Sequence, residues 1–347
     1  SINFQMPRYL RQALKNGTPL IDFGIAFYNG HTIKSDVFKR LFWEASPSKI
    51  STTAKRMWNG SEYSPFYVPL QEIVLFEDYA GGFLEHKSTI LRSPDKHELP
   101  GLCFGKRGEY LDVQILPEGF VLTNEGFGGP AEARLKTWFL LGVLNSLPVQ
   151  TGINFYCGQH KGVGYVNVFP IPDVAEGQLE SVAEISKQCY EIIKNQCLFL
   201  ETDPNFEKPT IAYGLSEWSE GYRVAGQALS AQITNLDNLV CEIYSVDPDE
   251  KAAMLQSSSN RPQASPIPSV DPIDASAAAR FWAKSSVSFL IGIAFERWEV
   301  SENTGLLNES SISIRSCFSM APSQFLLKSN GSGARPILVE DPGNKLD

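Results

Sequence analysis

The sequence predicts an α+β fold, a mostly β domain followed by a helical one, and two patterns carry that expectation. From Leu99 to Pro172 short runs alternate apolar and polar residues, as in Leu111-Asp112-Val113-Gln114-Ile115-Leu116, the period of half-buried strands. After Pro172 the period changes: Val182, Ile185, Cys189, Ile192 and Ile193 recur at helical spacing, with Glu180, Glu184, Lys187, Glu191 and Lys194 between them. A boundary at residue 173 divides a first domain, 1–173, from a helical support domain, 174–347.

Residues 1–30, broken by Pro7, Gly17, Pro19, Gly24 and Gly30, read as irregular linking structure, and a start at Ser1 is what a processed or excised product would show. Apolar residues at 37, 38, 41 and 42 predict a short amphipathic helix over 34–44. Ile73-Val74-Leu75-Phe76 reads as a strand stopped by Gly81-Gly82. Strands at Leu102–Phe104 and Leu111–Leu116 enclose a charged tip, and Pro117-Glu118-Gly119 turns the chain into a further strand, Phe120–Thr123. A glycine loop, Gly126-Phe127-Gly128-Gly129-Pro130, leads into an apolar helix over 131–145, and 162–172 reads as a strand ended by two prolines. Beyond the helix around 182–194, Thr202-Asp203-Pro204-Asn205 is a break. A longer helix then runs from Glu217 with Trp218, Tyr222, Ala225, Leu229, Ile233, Leu236, Val240 and Ile243 on one stripe. Residues 257–274, rich in Ser, Pro and Asn, read as a mobile loop, followed by an amphipathic helix over 275–299.

Composition bounds the function. Hydrophobic residues at 43% and charged residues at 20% are those of a water-soluble globular chain. Neither a bilayer-spanning run nor a signal-peptide core is present, which predicts a cytoplasmic address and no membrane partner. Six cysteines without a Cys-x-x-Cys pair read as buried thiols in a reducing compartment. The net charge of −9 means that nucleic acid could be held only by positive charge concentrated on one face, or by a partner.

Such concentrations exist. Lys49, Lys55 and Arg56 precede Trp58-Asn59-Gly60-Ser61-Glu62-Tyr63-Ser64-Pro65-Phe66-Tyr67, interleaving cations for phosphates with rings for bases. A solvated loop above an aromatic core is the competing reading. The tip Lys106-Arg107-Gly108-Glu109-Tyr110 could enter a groove, where Arg107 would face guanine; a merely exposed charged turn competes. Lys161, between His160 and Gly162, is a further candidate phosphate contact. Gly126 to Gly129 could cradle a nucleotide, yet no acidic strand end follows, and a tight turn into a packed helix is the favoured reading. The histidines at 31, 86, 97 and 160 have no partners at motif spacing and read as surface residues. Asp271, Asp274 and Asp341 are carboxylates whose spacing asks for no nuclease chemistry.

Several of these segments carry a resemblance. The helix ending Leu141-Gly142-Val143-Leu144-Asn145-Ser146 with a strand stopping at Pro170-Ile171-Pro172, the run from Gly60 to Tyr67, and Leu116-Pro117-Glu118-Gly119 resemble the target-recognition region of adenine-specific DNA methyltransferases. So does the helix Leu236–Val246. Residues 24–44, the run 288–299 and the strand and turn at 337–343 are similar to the large methyltransferases of BREX-type and DISARM-type phage defence and their type II restriction-modification relatives. In the 288–299 run, Glu296 stands where that pattern has Gly before Arg-Trp. The resemblance implies a sequence-reading part of an N6-adenine DNA methyltransferase, with double-stranded DNA as partner. DNA-binding residues would be Lys49, Lys55, Arg56, Lys106, Arg107, Tyr110 and Lys161. It also implies a partner catalytic domain or subunit, because neither Pro-Pro nor Asn-Pro occurs in the chain and no cofactor domain can be laid out before residue 99. S-adenosylmethionine would bind there; no cofactor, metal or catalytic residue is expected here. Other defence-system proteins are further expected partners. A protein-interaction module, and a small-molecule or S-adenosylmethionine enzyme using the Gly126–Gly129 loop, remain as alternatives.

Overall fold

The computed structural model describes residues 6–45, 53–76, 82, 85–131, 134–155, 157–258, 262, 275–294, 298–302 and 312–316. Lys49, nearly all of 257–274, the 337–343 segment, Cys317 and the carboxylates at 271, 274 and 341 lie outside them. The mixed α+β class is what the chain adopts.

Two small sheets form the first half. In one, β2 (Lys39–Leu41), β4 (Glu72–Leu75), β3 (Ala54–Trp58) and β7 (Phe120–Leu122) lie in that order, antiparallel except for the parallel pair β3 and β7. In the other, β5 (Gly101–Gly105) is central between β6 (Val113–Leu116) and β8 (Gly126–Pro130), both antiparallel to it. Trp58, Cys103, Leu116, Phe120 and Leu122 pack together, and the Trp58 indole donates to the Phe104 carbonyl at 3.3 Å across the two sheets.

The expected 34–44 helix is one turn, α3 (Ser35–Phe38), after α1 (Arg8–Asn16) and α2 (Leu20–Phe23); the chain then enters β2. β4 supplies backbone partners from Glu72 to Val74, and Lys39 reaches Glu72 at 2.6 Å, so tertiary pairing overrides a short local period. Residues 1–30 are likewise not mere linker: α1 buries Tyr9, Leu10 and Ala13, and β1 (Thr18–Pro19) pairs with β9 (Pro170–Ile171). In 162–172 only β9 is extended. Before it lies α6 (Val163–Asn167), whose Asn167 side chain bonds both the N–H and the carbonyl of Phe27 at 2.8 and 3.0 Å and so replaces a strand's backbone pairing.

The glycine loop is a correction of another kind: it is β8, a buried strand. Its glycines answer to crowding. A Cβ on Gly128 would stand 2.5 Å from a Leu122 methyl, and one on Gly126 would stand 2.6 Å from the Trp58 carbonyl oxygen. The Tyr28 N–H donates to the Gly128 carbonyl at 2.8 Å, so this segment spends its backbone on pairing. Gly128→Ala is expected to cost about 1–3 kcal/mol of stability in a denaturant titration, from overpacking. A loop would tolerate the methyl.

Helices α4 (Arg134–Asn145), α7 (Glu176–Cys197) and α8 (Leu215–Ile243) follow the predicted spacings, with α4 packed on α7 and α7 on α8, while α5 (Leu147–Ile153) is a helix that no spacing announced. α4 buries Phe139, Leu140, Leu141, Val143 and Leu144 around most of its circumference. The largest core joins Tyr9, Phe104 and Phe169 to Val182, Leu236 and Met254, crossing residue 173 without interruption. α9 (Pro248–Ser257) starts with Asp247 accepting from the Glu250 N–H at 2.8 Å, an N-cap. The last helix, α10 (Ala275–Ala294), is shorter than expected; β10 (Trp298–Glu302) pairs with β11 (Ile312–Ser316) where 298 and 299 were expected to be helical. Cys103, Cys157, Cys189, Cys197 and Cys241 are buried free thiols.

Candidate nucleic-acid interface

The tip joining β5 to β6 is held from below by side chains that copy a backbone. At the C-terminal end of α4, Asn145 accepts from the Val113 N–H at 3.0 Å and donates to the Val113 carbonyl at 2.8 Å. Gln150 of α5 accepts from the Leu111 N–H at 2.9 Å and donates back to the Leu111 carbonyl. Two buried amides thus complete the free edge where the tip rejoins the sheet. Asp112, 4% exposed between them, accepts from the Ser64 N–H and from Gln114 Nε2, each at 3.0 Å; burial nonetheless pushes its carboxyl up to about 7.

Lys161 is placed where a phosphate contact is not expected. It is 1% exposed, and its ammonium donates to the Glu109 and Gly158 carbonyls at 3.1 and 2.6 Å and to Asn154 Oδ1 at 2.6 Å. Desolvation lowers its pKa. The side chain braces the tip from inside, and the Lys161 and Gly108 N–H groups pin the same segment by donating to Lys106 and Gln159 carbonyls at 2.8 and 3.0 Å.

Above this support, Lys106 and Arg107 share one carboxylate. Glu125 meets Lys106 Nζ at 3.3 Å and Arg107 Nε at 2.9 Å, leaving the Arg107 side chain 70% exposed. Tyr110 packs edge-on against Tyr63, with ring centroids 5.7 Å apart, which joins the tip to the aromatic run after β3. On β3 itself, Lys55 pairs with Glu98 and lies over the Phe76 ring, while Arg56 is exposed, 5.9 Å from the Phe120 ring centre. Adjacent strand residues point to opposite faces, so Lys55 and Arg56 do not serve one surface together.

Residues 92–98 link these groups, and sequence reasoning missed what holds them. His31 and His97 stack at 3.9 Å. His31 Nδ1 accepts from the Arg92 N–H at 3.1 Å; His97 Nδ1 accepts from the Leu122 N–H at 2.9 Å, which leaves its Nε2–H to donate to the Arg92 carbonyl at 2.8 Å. Both rings are therefore needed neutral. Burial, then the facing His97, drives His31 down to about 4, and burial lowers His97 as well. Because the folded value of His31 lies below the ordinary 6.5, its contribution is complete above pH 6.5 and is lost as pH falls towards 4. A His31→Asn variant, which keeps an acceptor, is expected to lose about 2 kcal/mol less stability than the parent between pH 7.5 and pH 5, read from urea melts.

The pinned Arg92 lines a cleft of about 620 Å³ together with Asn29, Lys106, Asn124, Tyr165 and Val168. Tyr165 and Val168, from α6 and just beyond it, are about half exposed. Along β3, the 92–98 segment and residues 106–110 with Glu125, the sequence carries six cations (Lys55, Arg56, Arg92, Lys96, Lys106, Arg107) and four carboxylates (Asp95, Glu98, Glu109, Glu125) on a chain of net charge −9, with Lys55 and Arg56 on opposite faces of β3. Among the described residues no group of three His, Cys, Asp or Glu side chains is arranged to hold a metal, and no helix is long and apolar enough to cross a membrane.

No family model matches this chain, and neither does any curated protein at the level of sequence. Among solved structures, it is similar to the Type IIL restriction-modification enzyme MmeI in complex with DNA, at 12% identity and a TM-score of 0.41 over 74% of this chain. The chain spans 36% of that neighbour's length.

Proposed function

We propose that this chain is the DNA sequence-recognition part of an adenine-specific N6 DNA methyltransferase of a restriction-modification or phage-defence system. The methyl transfer itself, with S-adenosylmethionine, would belong to a catalytic domain or subunit outside these residues. The observation that carries the reading is the tip: Arg107 stands exposed and Lys106 half-buried on a turn braced by Glu125, Lys161, Asn145 and Gln150. A readout element must keep its side chains in register with base edges, and a rigid support serves that purpose where a floppy charged turn would not. The motifs from Gly60 to Pro172 that resemble adenine methyltransferase recognition regions support the same reading.

Fluorescence anisotropy with labelled duplexes tests it. Binding is expected at low salt, with affinity falling steeply as salt rises because phosphate contacts release counterions. Absence of binding at low salt would remove the reading.

A second reading, a module docking on other defence proteins, is favoured by the exposed Val287, Leu290 and Ile291 of α10 and by the acidic net charge. Pull-down with the neighbouring gene products would separate it from the first.

A further inference from the structure

We infer that the cleft beside the tip takes a single nucleotide unit, a nucleoside 5′-phosphate lifted out of its stack or free in solution; this rests on the DNA-recognition reading and names a second mode of contact within it. Duplex grooves are read by elements that protrude into them, as the Arg107 tip does, whereas a concave site fits a base removed from the helix. At about 620 Å³ the cleft lies within the range of small-ligand sites.

Its walls divide into the three functions such a unit requires. For the phosphate there are Arg92 and Lys106. The Arg92 guanidinium has no hydrogen-bond or ionic partner among the described residues; the histidine pair fixes its backbone on both sides, and the exposed side chain projects from that fixed point with its donors uncommitted. For the base edge there are Asn29 and Asn124, side chains that offer a donor and an acceptor each. The backbone beside Asn29 is anchored by the Tyr28 and Gly30 N–H groups, donating to the Gly128 and Thr123 carbonyls at 2.8 and 3.1 Å. The Asn124 N–H donates to the His31 carbonyl at 2.9 Å, and its side-chain amide reaches Glu125 only at 3.5 Å. For the flat face of the base there is Tyr165, 50% exposed. Immediately before Arg92, Leu91 is 48% exposed, an apolar side chain of the kind that fills the gap left between base steps.

The test is a titration of the full chain, followed by NMR, with each of the four deoxynucleoside 5′-monophosphates and with inorganic phosphate, beside Asn29→Asp, Tyr165→Ala and Tyr165→Phe. A second arm uses a duplex carrying one unpaired 2-aminopurine against its fully paired counterpart, which distinguishes a nucleotide within a strand from a free one. Binding of at least one monophosphate in the millimolar range or tighter is expected. Phosphate alone, Asn29→Asp and Tyr165→Ala should each be weaker by about 10-fold, with Tyr165→Phe restoring binding. Failure of every monophosphate and of the unpaired duplex to bind better than phosphate and the paired duplex, or titration of the variants like the parent, would overturn the inference. Binding of the fully paired duplex is scored separately: its presence with an inert cleft removes only this inference, and its absence with an active cleft removes only the duplex reading.

Discussion

Replacing Lys106 and Arg107 together by alanine is expected to weaken duplex binding by about 100-fold or more and to shallow the dependence of log affinity on log salt by about 2. Arg107 is exposed and Lys106 half-buried, both share Glu125 as their carboxylate partner, and pairs this accessible to solvent contribute about 1 kcal/mol or less to stability. The melting temperature should therefore stay within a few degrees of the parent, which makes the loss a statement about contacts to DNA. An alanine pair that bound as tightly as the parent would show the tip to be a solvated turn.

Lys161→Met is expected to lower stability by about 3 kcal/mol in urea titration, although Lys161 lies beside the same tip. Methionine keeps much of the length of the side chain but leaves two carbonyls and the Asn154 amide oxygen without their charged donor inside the protein. Because one of those carbonyls belongs to Glu109, amide exchange over 106–110 should accelerate as well, and DNA affinity should fall indirectly. A change below about 1 kcal/mol would mean that water already reaches the ammonium. The contrast between the two variants would separate the residues proposed to touch DNA from the one that holds their turn.

Much of the scaffold could be read directly from residue spacing. The apolar steps from Val182 to Ile193 and from Trp218 to Ile243 place α7 and α8, and the alternation in 111–116 places β6, because each pattern is a local consequence of helix or strand geometry. What failed depended on contacts that no local period announces. Lys161 looks like any surface lysine until Asn154, Gly158 and Glu109 converge on it. The segment 126–130 has the composition of a loop, and only the approach of Leu122 and Trp58 shows that glycine is there to admit neighbours. His31 and His97 are far apart in sequence and carry no motif, so their stacked pairing around Arg92 has no local signal. The cleft is assembled from five separated stretches, around Asn29, Arg92, Lys106, Asn124 and Tyr165, and of these five residues only Lys106 was singled out by charge and position.

Selection from a pool of random duplexes at low and moderate salt, with the parent chain beside Lys106→Ala/Arg107→Ala, tests the central claim most directly. Enrichment of one short motif by the parent, lost in the alanine pair, is the predicted result. Recovery of random sequence by both chains, or of the same motif by both, would contradict the assignment of the braced tip as the element that reads DNA.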